Sequence, residues 1–353
     1  MFIVDEIVDH PVNWVNGMLV NSADLSHTDM AWNAAIRDAR VMLLKGAQFG
    51  LLPPLRDSRD KSYYPKFVYD PLKEELTLLE CRAVTEGGYR IEITENMHLQ
   101  YQIPASLPAV RIDIKDDFEV FITIYTQDQL MAGPMSTTAP PRRLYKSPKY
   151  ELSVFPLKDK IGVSGLNHMK LAEYFWRDET LIQNKKYIPP CLTLTSHHEL
   201  IELHQRYAGL LNSIHETCLK LVTEYRLDSR PEVNDGAKWS ESILLYLSSN
   251  LWTYTDILSN ESPIHFITYF KNLINFISTN SLFRMNNTLF KEYYEKIVDY
   301  KMNLVNSKID YYNIIKELEK IEEILNYLVA MMISLQNKFR KDINYKVEKV
   351  NIK

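Results

Sequence analysis

Glycine is scarce in this chain, at 10 of 353 residues. A protein that brings its backbone against phosphates does so through glycine-rich turns. No GxxxxGK[ST] loop, no GxGxxG after a strand and no GxSxG elbow occurs in the sequence. Cysteine is scarcer still: Cys81, Cys191 and Cys218 stand far apart with no CxxC spacing. That argues against a disulfide framework and fits buried thiols in a reducing compartment. Long apolar runs are missing too. A membrane span needs roughly 18 apolar residues. The nearest stretch, Ile324 to Leu335, is shorter and is flanked by acids and amides. The first residues, MFIVDEIVDHPVNW, carry acids where a signal peptide needs a basic segment. Charge of one sign is also absent, the formal net being -4. The basic stretch from Lys338 to Lys353 reads as a solvated helix end. These absences predict a cytoplasmic protein with no nucleic-acid partner and no direct membrane insertion.

The composition that remains, 46% hydrophobic and 24% charged, is that of a soluble globular protein of two or three domains. Its two halves carry different periodicities. Residues 24–45 open with a helix cap and continue at helical spacing. Strand patterns then run to Pro156. "ELTLLECRAVTEGGYRIEITEN" alternates on both sides of Gly87-Gly88, which predicts a hairpin. "AVRIDIKDDFEVFITIY" repeats the plan, with Val110, Ile112 and Ile114 on one face and Val120, Ile122 and Ile124 on another, either side of Lys115-Asp116-Asp117. Residues 127–149 hold four prolines, one glycine and no periodicity, and predict a long loop. From Ser196 onward the pattern is helical. The expected fold class is α+β: an N-terminal antiparallel β-sandwich over residues 1–190, carrying an N-terminal helical segment, then an α-helical bundle with heptad-patterned helices over 191–353.

The stretch "TSHHELIELHQRY" raises the question of a metal site. His197 and His204 share a helix face but stand about 10 Å apart along the axis, with Ile201 between them. His198 and Glu202 form a good i, i+4 pair without a third ligand, and no HExxH motif exists. The expectation is no metal, no cofactor and no catalytic residue, with the histidines decorating a helix start. Asp113, Asp116, Asp117 and Glu119 read as solvated acids protecting a sheet edge. Pro189 and Pro190 interrupt regular structure and mark the domain junction.

Two apolar stripes follow. Leu200, Leu203, Tyr207, Leu210 and Ile214 step 3 and 4, continuing to Leu221 with Thr217 as the exception. Ile314, Leu318, Ile321, Leu325, Leu328, Met332, Leu335 and Phe339 alternate 4 and 3 without an error. Such heptads imply helices packed in a coiled-coil manner. An intrachain helical hairpin and a seam between identical chains both fit the periodicity. The second stripe is narrow for a core helix and mixes Ile and Leu at both positions, a combination that does not specify a dimer.

Tyr187-Ile188-Pro189-Pro190-Cys191-Leu192, followed by a short strand, a serine and a long helix, resembles the "fIPPcL…aS..L" signature of the TssK family of type VI secretion baseplate subunits. Trp14-Val15-Asn16-Gly17-Met18-Leu19 is similar to that family's "W.eGm.L". Phe49-Gly50-Leu51 occupies the place of its "GwGl". Asn250-Leu251-Trp252 and Ser262-Pro263-Ile264-His265 resemble its "lN..lp.l…hP" helix pair. Val20 to Asp24 stand where the family has "PqHFq". The resemblance implies a structural, non-enzymatic homotrimer of a contractile, phage-tail-like injection system, and its interface is expected at the stripe from Ile314 to Phe339 with Leu200, Leu203 and Tyr207. It would have a β-sandwich shoulder gripping the TssF–TssG wedge and a helical neck. The chain reads as a short form without the family's C-terminal head domain. Trp14 and Met18 are expected on the wedge-binding surface. The alternative is a β-sandwich hydrolase or carbohydrate-binding protein with a helical appendage, using Asp113 with Trp176.

Overall fold

The computed structural model describes residues 8–44, 48–54, 65–158, 165–178, 180–284 and 288–350, with side chains for all of these except 288–292 and 341–350. The fold is α+β with antiparallel sheets. The chain forms two compact units that divide between His198 and Glu199.

In the first unit, strand β3 (Glu75–Val84) is the centre of one sheet. Its first half lies between β2 (Lys66–Asp70) and β5 (Ala109–Arg111), its second half between β1 (Gly50–Leu51) and β4 (Arg90–Ile93), all antiparallel. Its inward side chains, Leu76, Leu78, Cys81 and Ala83, are fully buried. β3 and β4 form a hairpin at Gly87-Gly88. Gly88 has φ +76°, and a Cβ there would come within 2.8 Å of the Arg37 carbonyl oxygen and the Val41 side chain. This bare turn is the seat of helix α1 (Ser22–Leu44), which buries Ala31, Ala34, Val41 and Leu44. Arg37 donates from Nη1 to Tyr89 Oη at 2.7 Å and lies over the same ring.

The second sheet has the order β7-β6-β8-β9: β6 is Phe118–Met135, β7 Arg143–Pro156, β8 His168–Arg177 and β9 Thr180–Gln183. Two expectations from the sequence are corrected here. Residues 127–149 are mostly strand: β6 and β7 continue as a paired ribbon to Met135 opposite Arg143. The ribbon's outer part is exposed on both faces from Thr126 to Met131, so no face selects apolar residues and no alternation marks it. Its prolines sit at the tip, at Pro140 and Pro141, or beside a register shift, at Pro134 and Pro148. Likewise β5 and β6 are not hairpin partners. β5 joins the first sheet and β6 the second, and Lys115-Asp116-Asp117 is a corner between them. The Trp176 backbone N–H and the Arg177 guanidinium both donate to the Asp117 carboxylate, and the Trp176 indole donates to Ile114 O at 2.8 Å. These bonds give the corner a reason to turn that strand periodicity does not contain.

The second unit is helical. It comprises α3 (His198–Tyr225), α4 (Pro231–Trp252), α5 (Pro263–Leu282), α6 (Thr288–Val305) and α7 (Ile315–Val350), with a π-helical turn at Thr253–Ile257. Thr193 and Ser196 close a 3-10 turn just ahead of α3. Along α3 the buried residues are Leu200, Leu203, Tyr207, Leu211, Ile214, Cys218, Leu221 and Tyr225. Leu211 takes the inward place expected for Leu210, and Cys218 fills the gap that Thr217 left in the stripe.

The stripe on α7 requires the larger correction. Ile314 is 3% exposed, and Leu318, Ile321, Leu325, Leu328, Met332, Leu335 and Phe339 are at 0–1%, all within a single chain. Leu200, Leu203 and Tyr207 are equally buried. None of these residues is available to a second chain, so their assignment as an oligomer interface is withdrawn. The physical reason is a further column of buried side chains at Glu317, Ile324 and Met331, which widens the stripe to the face of an ordinary core helix. It packs on α3 with the two helices running in the same direction. The Tyr207 hydroxyl donates to Leu318 O at 2.6 Å, and Tyr225 meets the edge of Phe339 at 5.3 Å.

The mutational consequence is loss of stability rather than loss of assembly. Leu325→Ala should destabilise the helical unit by about 2–5 kcal/mol, as cavity formation does in other cores, read from the urea midpoint of its helical signal. A variant with unchanged midpoint but smaller assembled mass would restore the interchain seam.

Candidate interaction surface

Two of the motifs noted in the sequence meet in the first unit. Phe49, Gly50 and Leu51 lie against the Ile188–Leu192 segment. The Leu51 N–H donates to Pro190 O and the Leu192 N–H donates to Leu51 O, both at 2.8 Å, forming a parallel bridge between Leu51 and Cys191. Gly50 has φ +125°, and a Cβ there would stand 2.0 Å from Pro190 O. Pro189, Pro190 and Cys191 are buried, and the Cys191 thiol donates to Pro189 O at 3.2 Å. Burial pushes that thiol's pKa upward, so it stays protonated and unreactive. The prolines are therefore held inside the first unit, ahead of its division from the second.

Tyr187, at the start of the same motif, covers a buried cation. Lys170 Nζ lies 4.5 Å from its ring centroid and is paired with Glu173 at 2.8 Å and Glu119 at 3.2 Å. Asn184 donates to the other Glu173 oxygen at 2.7 Å. Every charge in this group has a partner, as burial demands.

Trp14 is 46% exposed and Met18 is half-buried, in an irregular segment turned at Asn16-Gly17. Val15, Leu19 and Val20 beside them are exposed. Two further apolar surfaces escaped the sequence reading. One is the outer face of α1, with Leu25, Trp32, Ile36 and Leu43; its signal was a 7, 4, 7 spacing hidden beneath the inward-facing set. The other is the outer ribbon of β6 and β7, with Met131, Leu144 and Tyr145.

The histidines are placed apart. His197 is half-buried with its Nδ1 covered and unpartnered, and burial, then the nearby His198, lowers its pKa to about 4. His204 does more than decorate a helix start. Its ring stacks on Tyr254 at 4.6 Å, its Nε2 donates to Tyr254 O at 2.9 Å, and the Tyr254 hydroxyl donates back to His204 O at 2.8 Å. Among the described residues no group of three His, Cys, Asp or Glu stands close enough to hold a metal ion. Asp113 pairs with Arg111 at 3.2 Å on the surface, and Trp176 is committed to the corner already described. Among the described residues no helix is long and apolar enough to cross a membrane.

No family model matches this chain, and no curated protein does. Solved structures do. A crystal structure of TssK is similar at TM-score 0.58 and 11% identity, over 91% of this chain and 69% of that one. A chain of the baseplate complex from the type VI secretion system matches at TM-score 0.56 and 10% identity, over 91% of this chain and 99% of that one. A chain of the type VI secretion system TssK-TssF-TssG baseplate subcomplex, determined by cryo-electron microscopy, matches at TM-score 0.52 and 10% identity over the same shares. At this identity the likeness is one of fold, and that fold is TssK-like.

Gly50 is the position where this geometry is least forgiving. Gly50→Ala adds a methyl against a backbone carbonyl in a left-handed conformation and should cost about 2–4 kcal/mol in the first unit. Urea denaturation of the full chain measures it; an unmoved midpoint would mean that the β1 bridge carries little of the unit's stability.

Proposed function

We propose that this chain is a structural, non-enzymatic subunit of a type VI secretion baseplate, a homotrimer that connects to a TssF–TssG wedge on the cytoplasmic side. The observation that carries the reading is the extent of the likeness. It runs over 91% of this chain, and so through both units, and over 99% of chains from two baseplate assemblies. The meeting of the FGL and IPPCL segments supports it, because the two motifs that resemble the family are joined by backbone hydrogen bonds.

In this reading the first unit is the shoulder. Its two sheets form a β-sandwich, supported by Phe67 of β2 meeting Tyr174 of β8 edge to face at 6.2 Å and by the Glu92 N–H of β4 donating to the Tyr150 hydroxyl of β7. The helical unit is the neck, with the α3 and α7 heptads packed within each chain. Copies then meet through surfaces other than those two stripes. The exposed segment around Trp14 and Met18 contacts the wedge. An exposed tryptophan among exposed aliphatics is the kind of anchor that dominates interface energetics.

Trp14→Ala should therefore reduce capture of TssF–TssG-like partners by roughly tenfold or more, with an unchanged circular dichroism spectrum. Equal capture at limiting concentration would remove this segment from the interface.

A further inference from the structure

Helix α1 carries apolar residues on two opposite faces, and only one of them is covered. The outer residues Leu25, Trp32, Ile36 and Leu43 are 54%, 67%, 46% and 74% exposed. Asp29 and Ala39, also exposed, complete a stripe that steps 4, 3, 4, 3, 4. At about 100° per residue the six lie within roughly 40° of one line along the helix. Single exposed apolar residues are ordinary; a continuous row with a tryptophan marks an interaction surface.

The stripe reads the same from either end. Measured from Ala34, Leu25 and Leu43 are equally distant, as are Asp29 and Ala39, and Trp32 and Ile36. We propose that this face of α1 pairs antiparallel with the same face of a second copy, about a twofold axis at the level of Ala34. In that arrangement each Trp32 lies on the partner's Ile36, each Leu25 on the partner's Leu43, and the small Ala39 leaves room opposite Asp29.

The flanking positions agree. Ala35, on one side of the stripe, meets its own copy, and its small side chain lets the helices approach. Asn33, on the other side, also meets its own copy, and an amide both donates and accepts, so it can pair with itself. Charge selects the antiparallel sense. Asp24 and Asp29 lie in the first half of the helix; the second half carries Arg37 and Arg40 against the single acid Asp38, which stands off the stripe. Among the described residues Arg40 makes no ion pair, and it lies near Arg90, a like charge that lowers its pKa after the effect of burial. Antiparallel pairing brings Asp29 beside the partner's Arg40; parallel pairing sets Asp29 against Asp29 and Trp32 against Trp32. Opposed helix dipoles favour the same sense. The contact joins copies two at a time, so it is distinct from any threefold association and does not depend on wedge binding.

The native thiols Cys81, Cys191 and Cys218 are buried, so introduced cysteines can report on the pairing. Under mild oxidation the full-length Ala35→Cys protein should form a disulfide-linked dimer. Leu25→Cys alone should not, because its two copies lie about 27 Å apart along the axis, whereas a mixture of Leu25→Cys and Leu43→Cys chains should. Trp32→Glu, an outward substitution that leaves the inner face intact, should raise the concentration for half-association of the pair by about tenfold or more. Cross-linking of Leu25→Cys alone as fast as Ala35→Cys would mean parallel pairing and overturn the proposal. So would cross-links from none of these variants, or an unchanged association midpoint for Trp32→Glu.

Discussion

The first unit depends on a place where a side chain is forbidden. Gly50 passes so close to the Pro190 carbonyl that even a methyl group cannot be fitted, and this closeness lets Leu51 exchange hydrogen bonds with Pro190 and Leu192. The same two residues, Gly50 and Leu51, are strand β1 on the edge of β3. One short segment thus ties the last part of the unit to its first sheet, closing a loop that contains both sheets. The entropy of closing such a loop grows only with the logarithm of its length, so a few buried hydrogen bonds suffice to hold it. A proline-proline pair suits this position because the segment uses the Pro190 carbonyl and has no need of a proline N–H.

Local periodicity made much of this architecture legible. The hairpin at Gly87-Gly88 and the long helices α3 and α7 follow from alternation, glycine turns and heptads, because each records one face turned to a core. Where no single face is buried, the signal vanishes. The ribbon of β6 and β7 is exposed on both sides from Thr126 to Met131, so its residues carried composition without pattern. The corner at Lys115 to Asp117 is set by bonds from Trp176 and Arg177, which lie remote in sequence. The α7 stripe illustrates a different limit. Heptad spacing records that a face is buried and is silent about whose residues cover it. The deciding column, Glu317, Ile324 and Met331, includes a buried acid that hydrophobic periodicity passes over. Glu317 is kept there by bonds from Ser307 and Lys320.

The site was half legible. The FGL and IPPCL segments were each noticed through resemblance, and Trp14 through its position, but nothing in either motif announced that the first two touch. The outer face of α1 was missed because its inner face is also apolar, so the helix reads as one broad hydrophobic pattern. Removing the covered residues Ala31, Ala34, Val41 and Leu44 leaves the second row. The polar clusters at Lys170, Asp117 and His204 are each occupied by bonds that hold the fold.

The role proposed for this TssK-like fold is that of a trimeric connector in a contractile baseplate. The native mass of the chain co-expressed and co-purified with its TssF–TssG-like partners tests this most directly. The account predicts a particle containing both partners and copies of this chain in a multiple of three. A chain that purifies alone as a monomer, with neither partner bound, would contradict it.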